Sequence, residues 1–353
     1  MDQRVSPEYI QTSLAASLTL GLQQGSFHRD AKLKGLNLLL HYEEGCSGRC
    51  CFCGLSKSRQ EVLRGKTFIR VDWPIFPLEE IIERSKGKEQ IHRVCISMIM
   101  HPKALEDTLH VVKRFKKETN FYISVLISPT LIQDKGLLEA MKRAGADRLG
   151  IAIDAATPEI FDRLRGKGVA GPHRWEHYWD VVRKGIEVFG KFHVGIHLIV
   201  GLGETEKQMV ETIQKGQDMG AYTHLFSFYP EKGSPMENHP PPPLGQYRRI
   251  QLARWIINEA LGSSTRMKFD ETGRLIDFGM EIITLIQTGE PFMTSGCPGR
   301  DEKVACNRPY GNERPSGPIR NYPFMPDPED IEEIKKQLHT TTLIAPKVVI
   351  PVP

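Results

Sequence analysis

The chain has 353 residues, with 47 Lys and Arg against 43 Asp and Glu, and a formal net charge of +4. This small charge, with no long run of Lys or Arg, does not indicate nucleic acid as a partner. No stretch approaches about 18 uninterrupted apolar residues, so we expect no membrane span. The N-terminal segment lacks the basic start and the continuous apolar run of a signal peptide.

Seven cysteines are present, and four of them fall within eight residues. An odd, clustered set fits a disulfide framework poorly and fits metal ligation in a reducing cytosol. We therefore expect a cytoplasmic protein that binds metal. The cysteines are Cys46, Cys50, Cys51, Cys53, Cys95, Cys297 and Cys306.

Hydrophobic periodicity predicts strands that alternate with helices along most of the chain. The predicted strands are 36–41, 93–99, 121–128, 147–154, 192–202 and 223–230, with 265–270 as a seventh. The predicted helices are 78–86, 104–118, 137–146, 157–166, 173–190, 206–221 and 247–261. The alternation favours an α/β fold with a parallel sheet, as in a full or partial (β/α) barrel. An open doubly wound sheet is the alternative.

The pattern divides the chain into three parts. Residues 1–34 are predicted to be a helical segment with an amphipathic surface helix, and residues 35–290 to be the barrel. Residues 291–353 are rich in Pro, Gly, Arg and Asn and have no clear period, which predicts a loop-rich C-terminal extension.

The run GCSGRCCFCG places Cys46, Cys50 and Cys53 directly after the first predicted barrel strand. Active sites of such barrels lie at the C-terminal ends of the strands, so we expect this loop at the catalytic mouth. Three thiolates can hold three irons of a cubane cluster and leave the fourth iron open to a small molecule. A zinc site is the alternative, and it would need His41 or Cys51 as a fourth ligand.

This Cys-x3-Cys-x2-Cys spacing, with Phe52 before the last cysteine, resembles the signature of the radical S-adenosylmethionine (SAM) superfamily. The resemblance implies a [4Fe–4S] cluster on these three cysteines, with SAM bound at its open iron. It also implies an electron donor such as ferredoxin or flavodoxin, because one electron cleaves SAM to methionine and a 5′-deoxyadenosyl radical. The barrel would shield that radical from solvent.

The segment VGIHLIVGLGET resembles the fifth-strand segment of biotin-synthase-like members, which packs near the SAM adenine. The resemblance makes Gly201, Gly203 and Glu204 candidate SAM-binding residues, and glycine there allows close approach of the backbone. An ordinary link from a strand through a turn to a helix is the alternative.

Other predicted SAM contacts match the family less well. Asp154 stands where biotin synthases carry a SAM-contacting Asp, and a helix N-cap is its alternative role. The second strand lacks the Gly-Gly-Glu run of many members, so Ser97 and His101 are candidates for the SAM amino group. Arg174 and His177 are the nearby candidates for the SAM carboxylate, although neither occupies the expected position.

Cys297 and Cys306 lie nine residues apart in a Gly- and Pro-containing loop, which a metal could order. Together with Cys95 they are candidate ligands of an auxiliary iron–sulfur cluster. The alternatives are a zinc site at the C-terminal pair and a packed core thiol at Cys95. The candidates for a fourth cluster ligand are Cys51, Ser295, Arg308 and Ser316.

The run ACNRPYGNERPSGP at 305–318 resembles the tail of the two-protein lipoyl synthases of archaea and some bacteria. The resemblance implies sulfur insertion into an octanoyl chain on a carrier protein or peptide, with a second radical SAM protein as partner. The auxiliary cluster would then be the sulfur donor. The first alternative is another biotin-synthase-like enzyme: biotin synthase, a methylornithine-synthase-like mutase or a hydrogenase-maturation relative. The second is a non-enzymatic metal or iron–sulfur scaffold.

Overall fold

The fold alternates strands and helices, as the computed structural model shows for residues 4–63, 67–68, 71–311 and 315–339. The strands are β1 (Tyr9–Thr12), β2 (Gly35–Leu40), β3 (Thr67–Phe68), β4 (Val71–Asp72), β5 (Ile75–Pro77), β6 (Arg93–Ser97), β7 (Tyr122–Ile127), β8 (Arg148–Asp154), β9 (Val194–Val200), β10 (Tyr222–Ser227), β11 (Lys268–Phe269) and β12 (Leu275–Asp277). The helices are α1 (Leu14–Leu20), α2 (Leu78–Ser85), α3 (Ala104–Glu118), α4 (Lys135–Ala144), α5 (Pro158–Arg165), α6 (Trp175–Phe189), α7 (Glu206–Met219), α8 (Leu244–Asn258), α9 (Ile283–Thr288) and α10 (Pro328–His339).

Six parallel strands form the centre of the sheet, in the order β2-β6-β7-β8-β9-β10. Strands β1 and β5 extend it antiparallel on the β2 side. The predicted α/β class with a parallel sheet is therefore confirmed. Within the described residues, no strand pairing joins β10 to the opposite edge of the sheet.

The helices cover the sheet because each has one apolar face. In α3, the buried residues Ala104, Val111, Val112 and Phe115 repeat at helical spacing, while the intervening lysines face solvent. Helix α7 begins with a capping box. The Thr205 hydroxyl accepts from the Gln208 N–H, and the Gln208 side chain accepts from the Thr205 N–H. These local signals explain why the helix positions follow from the sequence.

Two elements differ from the prediction. The N-terminal segment contains the buried strand β1 as well as helix α1, because Ile10 and Thr12 pack between β2 and β5. The predicted seventh barrel strand at 265–270 is wrong: β11 pairs only with β12, in a separate antiparallel hairpin. The turn between them is tight, since the Gly273 N–H bonds the Asp270 carbonyl.

The C-terminal extension is not only loop, since it contains helix α10, which packs on α8. Residues 312–314 of the tail run and residues 340–353 lie outside the described part of the chain. Buried Arg248 of α8 fixes the extension by donating from Nε to the Gln337 side chain at 2.8 Å and from Nη1 to the Arg320 carbonyl at 2.6 Å. No helix among the described residues has the length and apolar composition needed to cross a bilayer.

Residues 297–306 form a hairpin, which we call the plug hairpin. The Ala305 N–H bonds the Cys297 carbonyl at 3.0 Å, and Pro298 bridges Val304. Arg93, the first residue of β6, donates from Nε to the Pro298 carbonyl at 2.7 Å and also pairs with Asp147. Because Arg93 marks the N-terminal end of its strand, the plug hairpin lies at the end of the sheet opposite the cysteine loop.

Candidate active site

A cavity of about 290 Å³ lies among the inward-facing side chains of the six parallel strands. Much of its wall is apolar and includes Leu39, Val125, Leu126, Ile127, Ile199 and Phe226. Six cysteines also line it, in two groups. We call Cys46, Cys50 and Cys53 the first trio, and Cys95, Cys297 and Cys306 the second trio.

The first trio lies on the loop that follows the C-terminal end of β2, as the sequence predicts. The loop is held to the β6 connection by Ser47, whose N–H and hydroxyl both bond the Met100 carbonyl. Backbone N–H groups point at two of the sulfurs, from Gly48 to Cys46 at 3.3 Å and from Leu55 to Cys53 at 3.5 Å. Such donors favour a thiolate and therefore metal ligation.

In tetrahedral zinc sites Zn–S is about 2.3 Å, which puts two sulfurs about 3.8 Å apart. Across the described residues, the one group of three or more potential ligands whose atoms all lie within 4.8 Å of one another is Glu79, Glu83 and Glu118. Neither cysteine trio forms such a group among these residues. Those three glutamates lie on the outer helices α2 and α3 and form ion pairs with the side chains of Lys86 and Arg114.

Burial keeps the thiols protonated in the absence of metal. It raises the pKa of Cys50 to about 12 and also raises the pKa of Cys46. Iron must therefore displace protons from the first trio when the cluster forms.

Cys51 points away from both trios. Its side chain is 2% exposed within the hydrophobic core, it does not line the cavity, and its N–H bonds the Leu164 carbonyl at 2.9 Å. Ser316 is exposed on the surface. Of the four predicted candidates for a fourth auxiliary ligand, Ser295 and Arg308 line the cavity, while Cys51 and Ser316 lie elsewhere.

The second trio is brought together by β6 and the plug hairpin. Cys95 lies between Asn37 of β2 and Ser124 of β7 in the sheet register. A hydrogen bond from the Cys95 thiol lowers the pKa of Cys306, and Asn37 Nδ2 donates to the Cys306 sulfur at 3.4 Å. Residues more than 200 positions apart thus meet in one site.

Asp154 ends β8 and lines the cavity in a left-handed conformation, with φ +66°. Its carboxylate pairs with Arg165 Nη1 at 2.5 Å, and burial raises its pKa. It is not a helix N-cap, because the Thr157 hydroxyl accepts the capping bond from Ile160 N–H. A non-glycine residue held at positive φ stores strain, and such strain concentrates at functional sites.

Arg165 is a cavity residue that the sequence analysis missed. It is the last residue of α5, and its Nη2 donates to the Tyr178 hydroxyl at 3.1 Å. The cations considered from sequence are engaged elsewhere: Arg174 donates to the Gly171 carbonyl, and His177 bonds the Pro129 carbonyl. The signal for Arg165 was its position at the end of the helix after β8.

Of the remaining candidates near strand β6 and on the cysteine loop, two line the cavity and one does not. Phe52 and Ser97 line the cavity. His101 stacks on Tyr42 with ring centroids 3.7 Å apart and lies outside the cavity wall.

Gly201, Gly203 and Glu204 do not line the cavity. The Glu204 carboxylate folds back onto its own turn and accepts from Gly201 N–H at 2.7 Å and Leu202 N–H at 2.9 Å. Burial raises the pKa of this carboxyl to about 7. These bonds shape the turn that ends β9, and the contact of these residues with the SAM adenine stays a prediction.

We expect Gly201→Ala to destabilise the fold. Gly201 has φ +104°, and a Cβ there would lie 2.7 Å from Cδ of Pro242. Strain of this kind costs about 1–3 kcal/mol. Chemical denaturation should show that loss in the free energy of unfolding. Gly87→Ala is the control, because Gly87 also has a positive φ but a Cβ there would meet nothing within 4 Å. That variant therefore isolates the cost of the backbone angle alone.

A sequence model of the radical SAM superfamily matches residues 42–216, which include the first trio, Asp154 and Arg165. An uncharacterised protein of Methanocaldococcus jannaschii is 24% identical over 256 residues, and the alignment spans 70% of this chain and 64% of that protein.

Among solved structures, the crystal structure of HydG, a maturase of the [FeFe]-hydrogenase, matches with a TM-score of 0.50 and 11% identity over 69% of this chain and 53% of HydG. That of methylornithine synthase gives a TM-score of 0.49 and 15% identity over 69% of this chain and 66% of that chain. The likeness to HydG shows a shared fold. On its sequence match, the chain belongs to the radical SAM superfamily.

Proposed function

We propose that this radical SAM enzyme inserts sulfur into an octanoyl chain carried on a lysine of a carrier protein or peptide, as in lipoyl synthesis. The observation that carries the proposal is that two cysteine trios line one apolar cavity from opposite ends. Sulfur insertion needs both a radical generator and a sulfur donor within reach of one substrate carbon. The second trio lies partly outside the superfamily match, since that match ends at residue 216.

The first trio would hold the [4Fe–4S] cluster of the family. When bound, that cluster and SAM supply a 5′-deoxyadenosyl radical, which can abstract an unactivated hydrogen. Arg165 and Asp154 beside the trio present a guanidinium and a carboxylate to the cavity. A guanidinium suits the carboxylate of SAM methionine, and a carboxylate can accept hydrogen bonds from a ribose.

Arg165 is held in place by its neighbours. It donates to the Ala152 carbonyl at 2.6 Å and to the Tyr178 hydroxyl, which in turn lies 2.8 Å from His173 Nδ1. A guanidinium fixed by several bonds loses little freedom when it binds a ligand.

The apolar walls of the cavity suit an acyl chain. Each methylene moved from water to such a wall contributes about 0.8 kcal/mol. The same walls exclude water from the reacting carbon, which prevents quenching of a radical.

The second trio would hold an auxiliary iron–sulfur cluster, whose chemical contribution is a sulfide for the substrate radical. Buried Arg93 adds positive charge beside Cys297 and Cys306, which stabilises their thiolates. An electron donor such as ferredoxin or flavodoxin and a second radical SAM protein complete the proposed set of partners.

The test is anaerobic reconstitution with iron and sulfide, followed by incubation with SAM, dithionite and an octanoyl-lysine peptide, with and without a second radical SAM protein. We expect a thiolated octanoyl peptide by mass spectrometry and about eight irons per chain, as two cubanes require. Formation of 5′-deoxyadenosine without sulfur gain, at about four irons per chain, would instead support a mutase.

A further inference from the structure

Two histidines of the cavity wall have no role in the function described so far. His197 of β9 and His224 of β10 are register partners, and their rings meet edge to face with centroids 5.5 Å apart. His224 is 8% exposed, and its Nδ1 has no hydrogen-bond partner among the described residues. A buried polar atom left without a partner costs free energy, so a ligand bound at His224 Nδ1 would be stabilising.

The neighbouring strands are shaped around these rings. A Cβ on Gly195 would lie 2.6 Å from Nε2 of His224, and one on Gly150 would lie 3.4 Å from Nε2 of His197. Glycine inside a strand weakens it and marks a close approach of another group. Gly195 therefore makes room for the imidazole of His224, whereas a Cβ on Gly150 would first meet Leu126, with Cδ1 at 3.0 Å.

His224 belongs to the same end of the cavity as the second trio. The N–H of the next residue, Leu225, donates to the Ser295 hydroxyl at 2.9 Å, two residues before Cys297. The charge of Arg148 acts on both groups, since it favours the thiolate of Cys297 and the neutral form of His224.

Positive charge lies close to this site. The side chain of Arg254 is 5% exposed, and its Nη2 donates to the Pro291 carbonyl. Burial and the charge of Arg254 both lower the pKa of His224, and Glu259 is the carboxylate whose charge acts on Arg254. A buried guanidinium is costly unless a negative charge compensates it. A cluster with three thiolates supplies such a charge inside the cavity.

We propose that His224 is the fourth protein ligand of the auxiliary iron–sulfur cluster, an inference that rests on the cluster proposed above for the second trio. Neutral imidazole is the commonest nitrogen ligand of metals in proteins. The other cavity candidates are poorer ligands: the Ser295 hydroxyl already accepts from Leu225 N–H, and the Arg308 guanidinium has no acceptor while it is charged.

Pulsed electron paramagnetic resonance of the dithionite-reduced protein tests the inference. The full chain carrying Cys46→Ala, Cys50→Ala and Cys53→Ala retains only the auxiliary site, so its signal is free of the SAM cluster. We expect a ¹⁴N coupling that becomes a ¹⁵N coupling when histidine alone is ¹⁵N-labelled and that is lost in His224→Ala. A nitrogen coupling that does not change when histidine is ¹⁵N-labelled, or that persists in His224→Ala, overturns the inference.

Two further variants keep the test decisive. His224→Cys should retain about four irons while losing the nitrogen coupling, so it serves if the alanine variant does not fold. His173→Ala removes a buried imidazole from the opposite end of the same cavity and should leave the coupling unchanged. A nitrogen coupling that persists in His224→Cys, or that disappears in His173→Ala, contradicts the assignment to His224.

The outcome also separates this inference from the proposed function. Sulfur insertion by the unmodified chain without a histidine coupling overturns only the ligand assignment. A histidine coupling without sulfur insertion keeps the ligand assignment and overturns only the proposed function. Absence of any iron in the triple variant overturns the auxiliary cluster and therefore both.

Discussion

Replacing Cys50 with alanine is expected to reduce formation of 5′-deoxyadenosine from SAM to background. Cys50 is one of three thiols on the loop after β2, and two thiolates cannot hold a cubane with one open iron. The iron content should fall from about eight to about four per chain, because the second trio is untouched. Chromatography of the SAM cleavage products and colorimetric iron determination measure the two effects.

Cys51→Ala is the matched control for this variant. Cys51 is the adjacent residue and has the same chemistry, but it lies in the core and not on the cavity. Its replacement should leave iron and SAM cleavage unchanged and lower the free energy of unfolding by about 1 kcal/mol. Intact radical formation in Cys50→Ala, or a spectrum of the purified protein that shows only zinc, would exclude the assignment of the first trio.

The sequence predicts the six central strands within a few residues because their signals are local. The fifth of them is predicted at 192–202 and lies at Val194–Val200, a segment rich in β-branched and other apolar residues that ends at Gly201. Short strands are different. β1 has only four residues and owes its position to pairing with β2 and β5, which no local pattern encodes.

The same distinction separates the site residues that the sequence predicts from those that it misses. The first trio lies within eight residues, so spacing alone identifies it. His197 and His224 become neighbours only when β9 and β10 pair in parallel, and Arg165 reaches the cavity only because α5 ends beside Asp154. In the sequence alone, His197, His224 and Arg165 are ordinary polar residues without a motif.

A glycine in the sequence can indicate close approach either of a ligand or of another part of the protein. The glycines of GLGET predict close approach of a ligand, and the structure shows Gly201 at φ +104° with Pro242 as its close protein neighbour. Gly195, inside strand β9, leaves room for the ring of His224 in the cavity wall. A glycine shows that something lies close, but only the fold shows whether that neighbour is protein or ligand.

Replacing Cys306 with alanine should separate the two halves of the proposed reaction. We expect SAM cleavage to continue, because the first trio lies at the other end of the cavity, and sulfur transfer to the octanoyl peptide to fall to background. The iron content should drop by about four per chain, since two thiolates and the His224 imidazole hold a cubane more weakly than the full set of ligands. Mass spectrometry of the peptide and quantification of 5′-deoxyadenosine from one reaction give both readouts.

Ser316→Ala provides the comparison within the same extension, because its side chain is exposed and remote from the cavity wall. That variant should match the unmodified chain in iron, SAM cleavage and sulfur transfer. Loss of both activities in Cys306→Ala would show that the plug hairpin supports the whole barrel, which circular dichroism and the unfolding midpoint would detect. Sulfur transfer that survives with unchanged iron would mean that the second trio holds no cluster, and the sulfur would then have to come from outside this cavity.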